Sequence, residues 1–205
     1  MKSEGYRTNS ARFDRLPGNI LRECAVYKIY IPPEIIDHYL PDDILAYRAQ
    51  TQKNFMRRLF FFSKQAAAST RSELDDYIDQ LPYSVSFNYF LQKLARERDR
   101  RVYYNFIVMN DYMIFIRVPH YLDKSYSPLC KHITISSRAK YVRYAGEIWP
   151  DGHNHFIVNN SSGAYRPPDE LIQQAVQLFK YLSPNTYFQG ISFRLTATPS
   201  MAQHY

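Results

Sequence analysis

Three residues in the C-terminal half are of types suited to proton transfer: His132, Glu147 and Tyr165. An imidazole, a carboxylate and a phenol that reach one substrate can act as general acid and base. A fourth element follows Glu147 within two turns of chain, the run Asn159-Asn160-Ser161-Ser162-Gly163 with Arg166 just beyond it. Amide and hydroxyl groups, main-chain N–H donors and a glycine hinge leading into a helix start can cradle an anion, and Arg166 adds a bidentate donor. The same residue types also make ordinary turns, and the run contains neither a P-loop nor a dinucleotide-binding glycine pattern.

The strand expected at 140–149 sets the surroundings of Glu147. Alternation places Tyr141, Arg143, Ala145, Glu147 and Trp149 on one face. With Asp151-Gly152 as a two-residue turn, Glu147 lies opposite Phe156 and Arg143 opposite Asn160. A carboxylate in that apolar setting is hard to ionise unless Arg143 neutralises it. The competing expectation is a Glu147–Arg143 ion pair on a wet face, and a one-residue slip exchanges the facing partners. His132 stands in the loop before this strand, near Cys130, Ser136 and Ser137, without a nucleophile elbow. His153 and His155 lack an evident third ligand, so no metal site is expected.

The elements that must hold these residues follow from periodicity. Residues 24–31 alternate as a strand, and a short helix is expected at 34–39. The segment 42–68 reads as one long helix with Asp42 and Asp43 in its first turn. Thr70-Arg-Ser-Glu73 is a capping box opening a helix to Leu81. A third helix is expected over 84–98, with Phe87, Phe90, Leu91 and Leu94 on its apolar face. Its end, Arg96 to Arg101, reads as a solvated run of ion pairs, with phosphate contact as the rarer alternative.

From 102 the period becomes two. Val102–Met109 and Tyr112–Val118 form a covered hairpin around Asn110-Asp111. The 140–160 hairpin follows. A helix then starts at Pro168 with Leu171, Ala175, Leu178 and Leu182 buried, and a last strand covers Tyr187–Leu195. The expected fold class is α+β: an N-terminal helical layer packed on a mainly antiparallel sheet, with a C-terminal helix and strand. The expected divisions are a loose terminus at 1–20, a mainly helical region at 21–101, the site-bearing sheet and helix at 102–195, and a tail at 196–205.

Composition bounds the function classes. The chain has 205 residues, 45% hydrophobic and 22% charged, as in ordinary globular domains. Aromatic residues make up 16%, with 19 Tyr and 13 Phe but one Trp. The formal charge of +7 admits an anionic partner but does not require one. Two cysteines exclude a disulfide scaffold and a cysteine-built zinc site, and they suit a reducing compartment. The N-terminus has no apolar signal region, and no run approaches a membrane span, so a cytoplasmic protein is expected. No cofactor is implied. The arginines are scattered and no nucleic-acid-binding signature is present, so nucleic acid ranks below an anionic small ligand or a protein as partner.

The order His132, then Ala145-Gly146-Glu147, Asp151-Gly152 and Asn159-Asn160-Ser161-Ser162-Gly163-Ala164-Tyr165-Arg166-Pro167 resembles an uncharacterised module of fungal, protist and bacterial proteins. In bacteria the pattern looks similar to modules carried by large secreted toxin-like proteins. The resemblance covers about 106–193. It implies site roles for His132, Glu147, Asn160, Ser162, Gly163, Tyr165 and Pro167, and no assigned activity. The module's pattern has His or Thr where this chain has Ala164. Two functional expectations result. One is a binding or interaction domain with its polar site at 159–167. The other is an enzyme on a phosphate-bearing or nucleotide-like substrate, with His132 or Glu147 as acid/base.

Overall fold

A computed structural model describes residues 24–47, 85–99, 101–119 and 130–194. Its centre is a six-stranded sheet. The strands are β1 (Val26–Tyr30), β3 (Tyr103–Val108), β4 (Tyr112–Val118), β6 (Tyr144–Pro150), β7 (His155–Asn159) and β8 (Tyr187–Ile191). They lie in the order β1-β4-β3-β6-β7-β8. All neighbours are antiparallel except β7 and β8, which are parallel. A separate two-stranded ribbon pairs β2 (Ile44–Leu45) with β5 (Tyr141–Val142). Among the described residues the α-helices are α1 (Pro33–Tyr39), α2 (Phe87–Ala95), α3 (His132–Ile135) and α4 (Ile172–Leu182). This is an α+β fold with a mainly antiparallel sheet. No helix among the described residues is long and apolar enough to cross a membrane.

One face of the sheet is aromatic. Phe106 and Phe115 are register partners and stack at 5.5 Å. Phe90 of α2 lies 4.1 Å from Phe115, and Phe179 of α4 lies 5.3 Å from Phe106. Helix α2 owes its start to Ser86, whose hydroxyl accepts the Tyr89 N–H at 3.1 Å. Its four apolar residues at i, i+3, i+4 and i+7 are all buried, as the spacing predicts. Beyond it, Arg101 pairs with Asp99 at 3.0 Å, while Glu97 reaches Arg117 on β4 at 2.7 Å.

The opposite face carries buried polar residues. Asn105 alternates with Phe106 and so points away from α2 and α4. Its register partner is Glu147. The Asn105 side chain donates to the Cys130 carbonyl at 2.6 Å, which places the start of α3 on this side.

Several expectations are corrected. Ile44–Leu45 form a strand where the 42–68 pattern predicts helix, because Val142 and Tyr141 pair with them. The strand expected at 140–149 is broken at Arg143: Tyr141–Val142 serve the ribbon and Tyr144–Pro150 the main sheet. Its turn is longer than two residues. Asp151 N–H bonds to His155 O at 2.9 Å, leaving 152–154 as the loop, with Gly152 at φ 122° and Asn154 at φ 55°. Two left-handed residues let three residues close the hairpin, and Pro150 pairs with Phe156. Glu147 therefore meets Asn159 rather than Phe156. Helix α4 begins after a 3₁₀ turn at Asp169–Leu171, so Pro168 caps that turn. Its buried stripe is Ile172, Ala175, Val176, Leu178 and Phe179; Leu171 and Leu182 are only half-buried. Strand β8 stops at Ile191, because the Phe193 N–H bonds to the Asn160 side chain at 3.1 Å. The expectations for 1–20, 48–68, the 70–81 helix and the 196–205 tail lie outside the described residues.

Candidate functional site

Three hydrogen-bonded knots hold the residues that the sequence singles out. The first is centred on Asn159, which is fully buried at the end of β7. Its Oδ1 accepts from the Glu147 N–H and from the Ser161 N–H, both at 2.9 Å. Its Nδ2 donates to Glu147 Oε2 at 3.0 Å, and its carbonyl accepts the Tyr144 hydroxyl at 3.2 Å. Gly146 makes this approach possible: a Cβ there would lie 2.0 Å from the Asn159 carbonyl oxygen. Glu147 itself is buried, and its charge joins burial in raising the Tyr103 phenol above its usual range.

His132 joins from α3, where the sequence places a loop. Its Nε2 lies 2.8 Å from the Gly146 carbonyl. A carbonyl only accepts, so the proton sits on Nε2. Burial drives the imidazole pKa down to about 4, against the opposing pull of the Gly146 bond, and the ring is neutral at pH 7. Asn105 completes this side. Its Nδ2 is used by the Cys130 carbonyl, and its buried Oδ1 has no partner among the described residues.

The second knot is centred on Asn160, also buried. Its amide donates to the Pro167 carbonyl at 2.8 Å and to Asp169 Oδ1 at 2.7 Å. Ser192 donates to Asp169 Oδ2 at 2.9 Å. These two donors hold the Asp169 carboxyl below its ordinary range. The knot fixes the entry of the 3₁₀ turn to the exit of β8.

The third knot is centred on Tyr165. Its hydroxyl donates to the Ala139 carbonyl at 2.7 Å and accepts from Ser136 at 2.6 Å. The Ser162 hydroxyl accepts the Tyr165 N–H at 3.3 Å, and the Ser162 carbonyl accepts the Arg166 N–H at 2.9 Å. Burial raises the Tyr165 phenol, so it stays protonated as a donor.

His132, Glu147 and Asn159 are thus brought together, as are Ser162, Tyr165 and Arg166. Tyr165 is bonded to the turn after α3 rather than to His132 or Glu147. Arg143 is elsewhere. It pairs with Asp37 at 2.6 Å and Asp43 at 3.5 Å and donates to the carbonyls of Leu40 and Pro41. The expected Glu147–Arg143 ion pair is absent because the break at 143 turns that side chain toward the end of α1. Gly163 is not a steric hinge: a Cβ there would meet nothing within 4 Å. The left-handed residue of the loop is Arg166, at φ 50°. No group of three or more metal-ligating side chains exists among the described residues.

No known protein family matches the sequence, and neither a curated protein nor a solved structure matches it.

What faces outward is basic and aromatic. The Arg166 guanidinium lies 3.6 Å from the centre of the Tyr47 ring. Tyr47 N–H bonds to Ala164 O at 2.7 Å, and Ala46 N–H to Lys140 O at 2.9 Å. These two bonds lace the strand end at 46–47 to both the loop and the turn. Lys140 in turn covers the exposed Tyr141 ring at 5.0 Å. Arg138, Lys140 and Arg166 are all exposed. The ion pairs among the described residues engage Arg101, Arg117, Arg143 and His155, and none of these three cations. The sequence reading missed Asn105, Tyr47, Arg138 and Lys140. Asn105 was detectable as a lone amide inside an apolar strand. Tyr47 was hidden by the helical pattern read across it.

Proposed function

We propose that the chain is a binding module for a compact, multiply charged anion, with phosphate as the natural chemistry. The recognition surface is Arg166, Lys140 and Arg138 with Tyr47 and Tyr141. The observation that carries this is the Arg166–Tyr47 stack. Tyr47 occupies one face of the guanidinium and orients it, while among the described residues no hydrogen bond or ion pair engages its N–H edge, which can take two anion oxygens. The polar side chains at 159, 160, 162 and 165 support this surface from within. Their hydrogen bonds run inward to strand ends and turns, which keeps the loop in one shape.

The alternative, acid/base catalysis by His132 and Glu147, has less support. His132 spends its proton on a main-chain carbonyl, and Glu147 is 3% exposed. The resemblance supports the same reading, since Ala164 stands where the pattern of that uncharacterised module has His or Thr.

Isothermal titration of the whole chain with inorganic pyrophosphate at low salt tests the proposal. Loss of a charge-assisted bidentate contact weakens binding by about tenfold or more in Arg166→Ala. Affinity falls as salt rises. Equal binding by wild type and by the Arg138→Ala, Lys140→Ala, Arg166→Ala triple variant would overturn it.

A further inference from the structure

Cys24 and Cys130 are separated by 106 residues, yet their sulfurs lie 3.7 Å apart. Both are buried, and neither is part of a disulfide. The meeting is built on one residue of a central strand. Arg117 of β4 gives its N–H to the Cys24 carbonyl at 2.8 Å, and its carbonyl lies 3.6 Å from the Cys130 sulfur. Cys24 thus enters β1, and Cys130 leads into α3, from the same anchoring residue.

We propose that Cys24 and Cys130 form an intramolecular disulfide when the chain folds with a disulfide oxidant such as oxidised glutathione. One thiolate attacks the glutathione disulfide, forming a mixed disulfide and releasing one glutathione thiolate. The second cysteine thiolate then displaces the other glutathione. Two cysteine thiols are oxidised, one glutathione disulfide is reduced to two thiols, and the protons balance. Bond formation brings the sulfurs from 3.7 Å to about 2.05 Å, a closure of under 2 Å.

Hydrogen bonding to Cys24 and burial raise the Cys130 thiol, so that sulfur is protonated once packed. The bond therefore forms as the chain folds, and the core then shields it. Its position is consequential. The Cys130 carbonyl is the acceptor for Asn105, and His132 is two residues further on. The cross-link would fasten the segment that delivers His132 directly to the first strand of the sheet.

The test is to refold the full chain from denaturant in a buffer of reduced and oxidised glutathione and quench it with a thiol-alkylating reagent. The expected result is an intact mass lower by two hydrogens, with no alkylated cysteine and a digest peptide joining positions 24 and 130. The thermal midpoint of this species is expected to fall by about 10 °C on reduction, from the loop it closes. Cys24→Ser and Cys130→Ser should each yield one alkylated thiol or one glutathione adduct instead. Two alkylated thiols, glutathione adducts without the cross-link, or a bond only between chains would each overturn the proposal.

Discussion

Asn159 and Glu147 are joined twice: the amide oxygen takes the Glu147 N–H at 2.9 Å, and the amide nitrogen gives a proton to the carboxylate at 3.0 Å. An amide can bind both the peptide and the side chain of one neighbour because it carries a donor and an acceptor side by side. The pairing continues the β6–β7 ladder through a side chain, just where β7 must bend away into the 160–167 loop.

Removing that amide leaves a buried carboxylate and two main-chain N–H groups short of a partner. Asn159→Ala should therefore destabilise the protein by about 3 kcal/mol, by analogy with broken buried polar networks. Urea unfolding followed by far-UV circular dichroism measures this. A loss under about 1 kcal/mol would show that the amide is not holding the bend.

Two glycines near the site should answer oppositely to alanine. At Gly146 the new Cβ falls 2.0 Å from the Asn159 carbonyl oxygen, while at Gly163 it meets nothing within 4 Å. Gly146→Ala should cost several kcal/mol, roughly the scale of other overpacked core sites, or prevent folding. Gly163→Ala should be neutral to within about 0.5 kcal/mol. Thermal melts of the two variants side by side decide it, and equal behaviour would contradict the close approach.

The neutral His132 makes folding stability depend on pH. Its folded pKa of about 4 lies below the ordinary 6.5, so between these values the unfolded chain binds a proton that the folded chain refuses. Stability is full above about pH 6.5 and falls as pH drops toward 4, by about 3 kcal/mol from this one group. His132→Gln keeps a donor for Gly146 and cannot titrate. It should flatten the profile in that window, leaving carboxylates such as Asp169 to act at lower pH. An unchanged slope in the variant would mean that the imidazole is not the group responsible.

Tyr165 links the loop to the turn at 136–139, and with it Arg166 to Arg138 and Lys140. Tyr165→Phe removes the hydroxyl, and with it the bonds to Ser136 and Ala139, but keeps the ring. The expected cost is about 1–2 kcal/mol in stability together with a several-fold loss in pyrophosphate affinity. Chemical denaturation and calorimetry read the two separately. A stability loss with unchanged affinity would separate the staple from the binding surface.

Much of the sheet was legible because periodicity reports burial directly. The alternation in 102–118 and the helical spacing of Phe87, Phe90, Leu91 and Leu94 reflect the two faces of a covered hairpin and the one face of α2. The 42–47 segment was misread because two residues of ribbon are too short to impose a period, and their pairing partner is about a hundred residues away. The buried polar network was legible by residue type, as His132, Glu147 and the Asn159–Arg166 loop all lie where hydrogen bonds converge. Their roles were not, since an asparagine in a loop looks the same whether its amide faces water or a buried carboxylate.

The sequence by itself determined the α+β class, the central hairpin at 102–118, the apolar face of α2 and the stretch of chain in which the polar residues gather. These are local properties, set by side-chain spacing and turn chemistry. Tertiary structure decided which way each polar group points. The three-residue loop at 152–154 moved Glu147 from Phe156 to Asn159, and the break at Arg143 sent that arginine to the end of α1. Register and long-range pairing are set by the packing of the whole sheet. They turned the amides and hydroxyls of the 159–167 loop inward and left Arg166, resting on Tyr47, facing out.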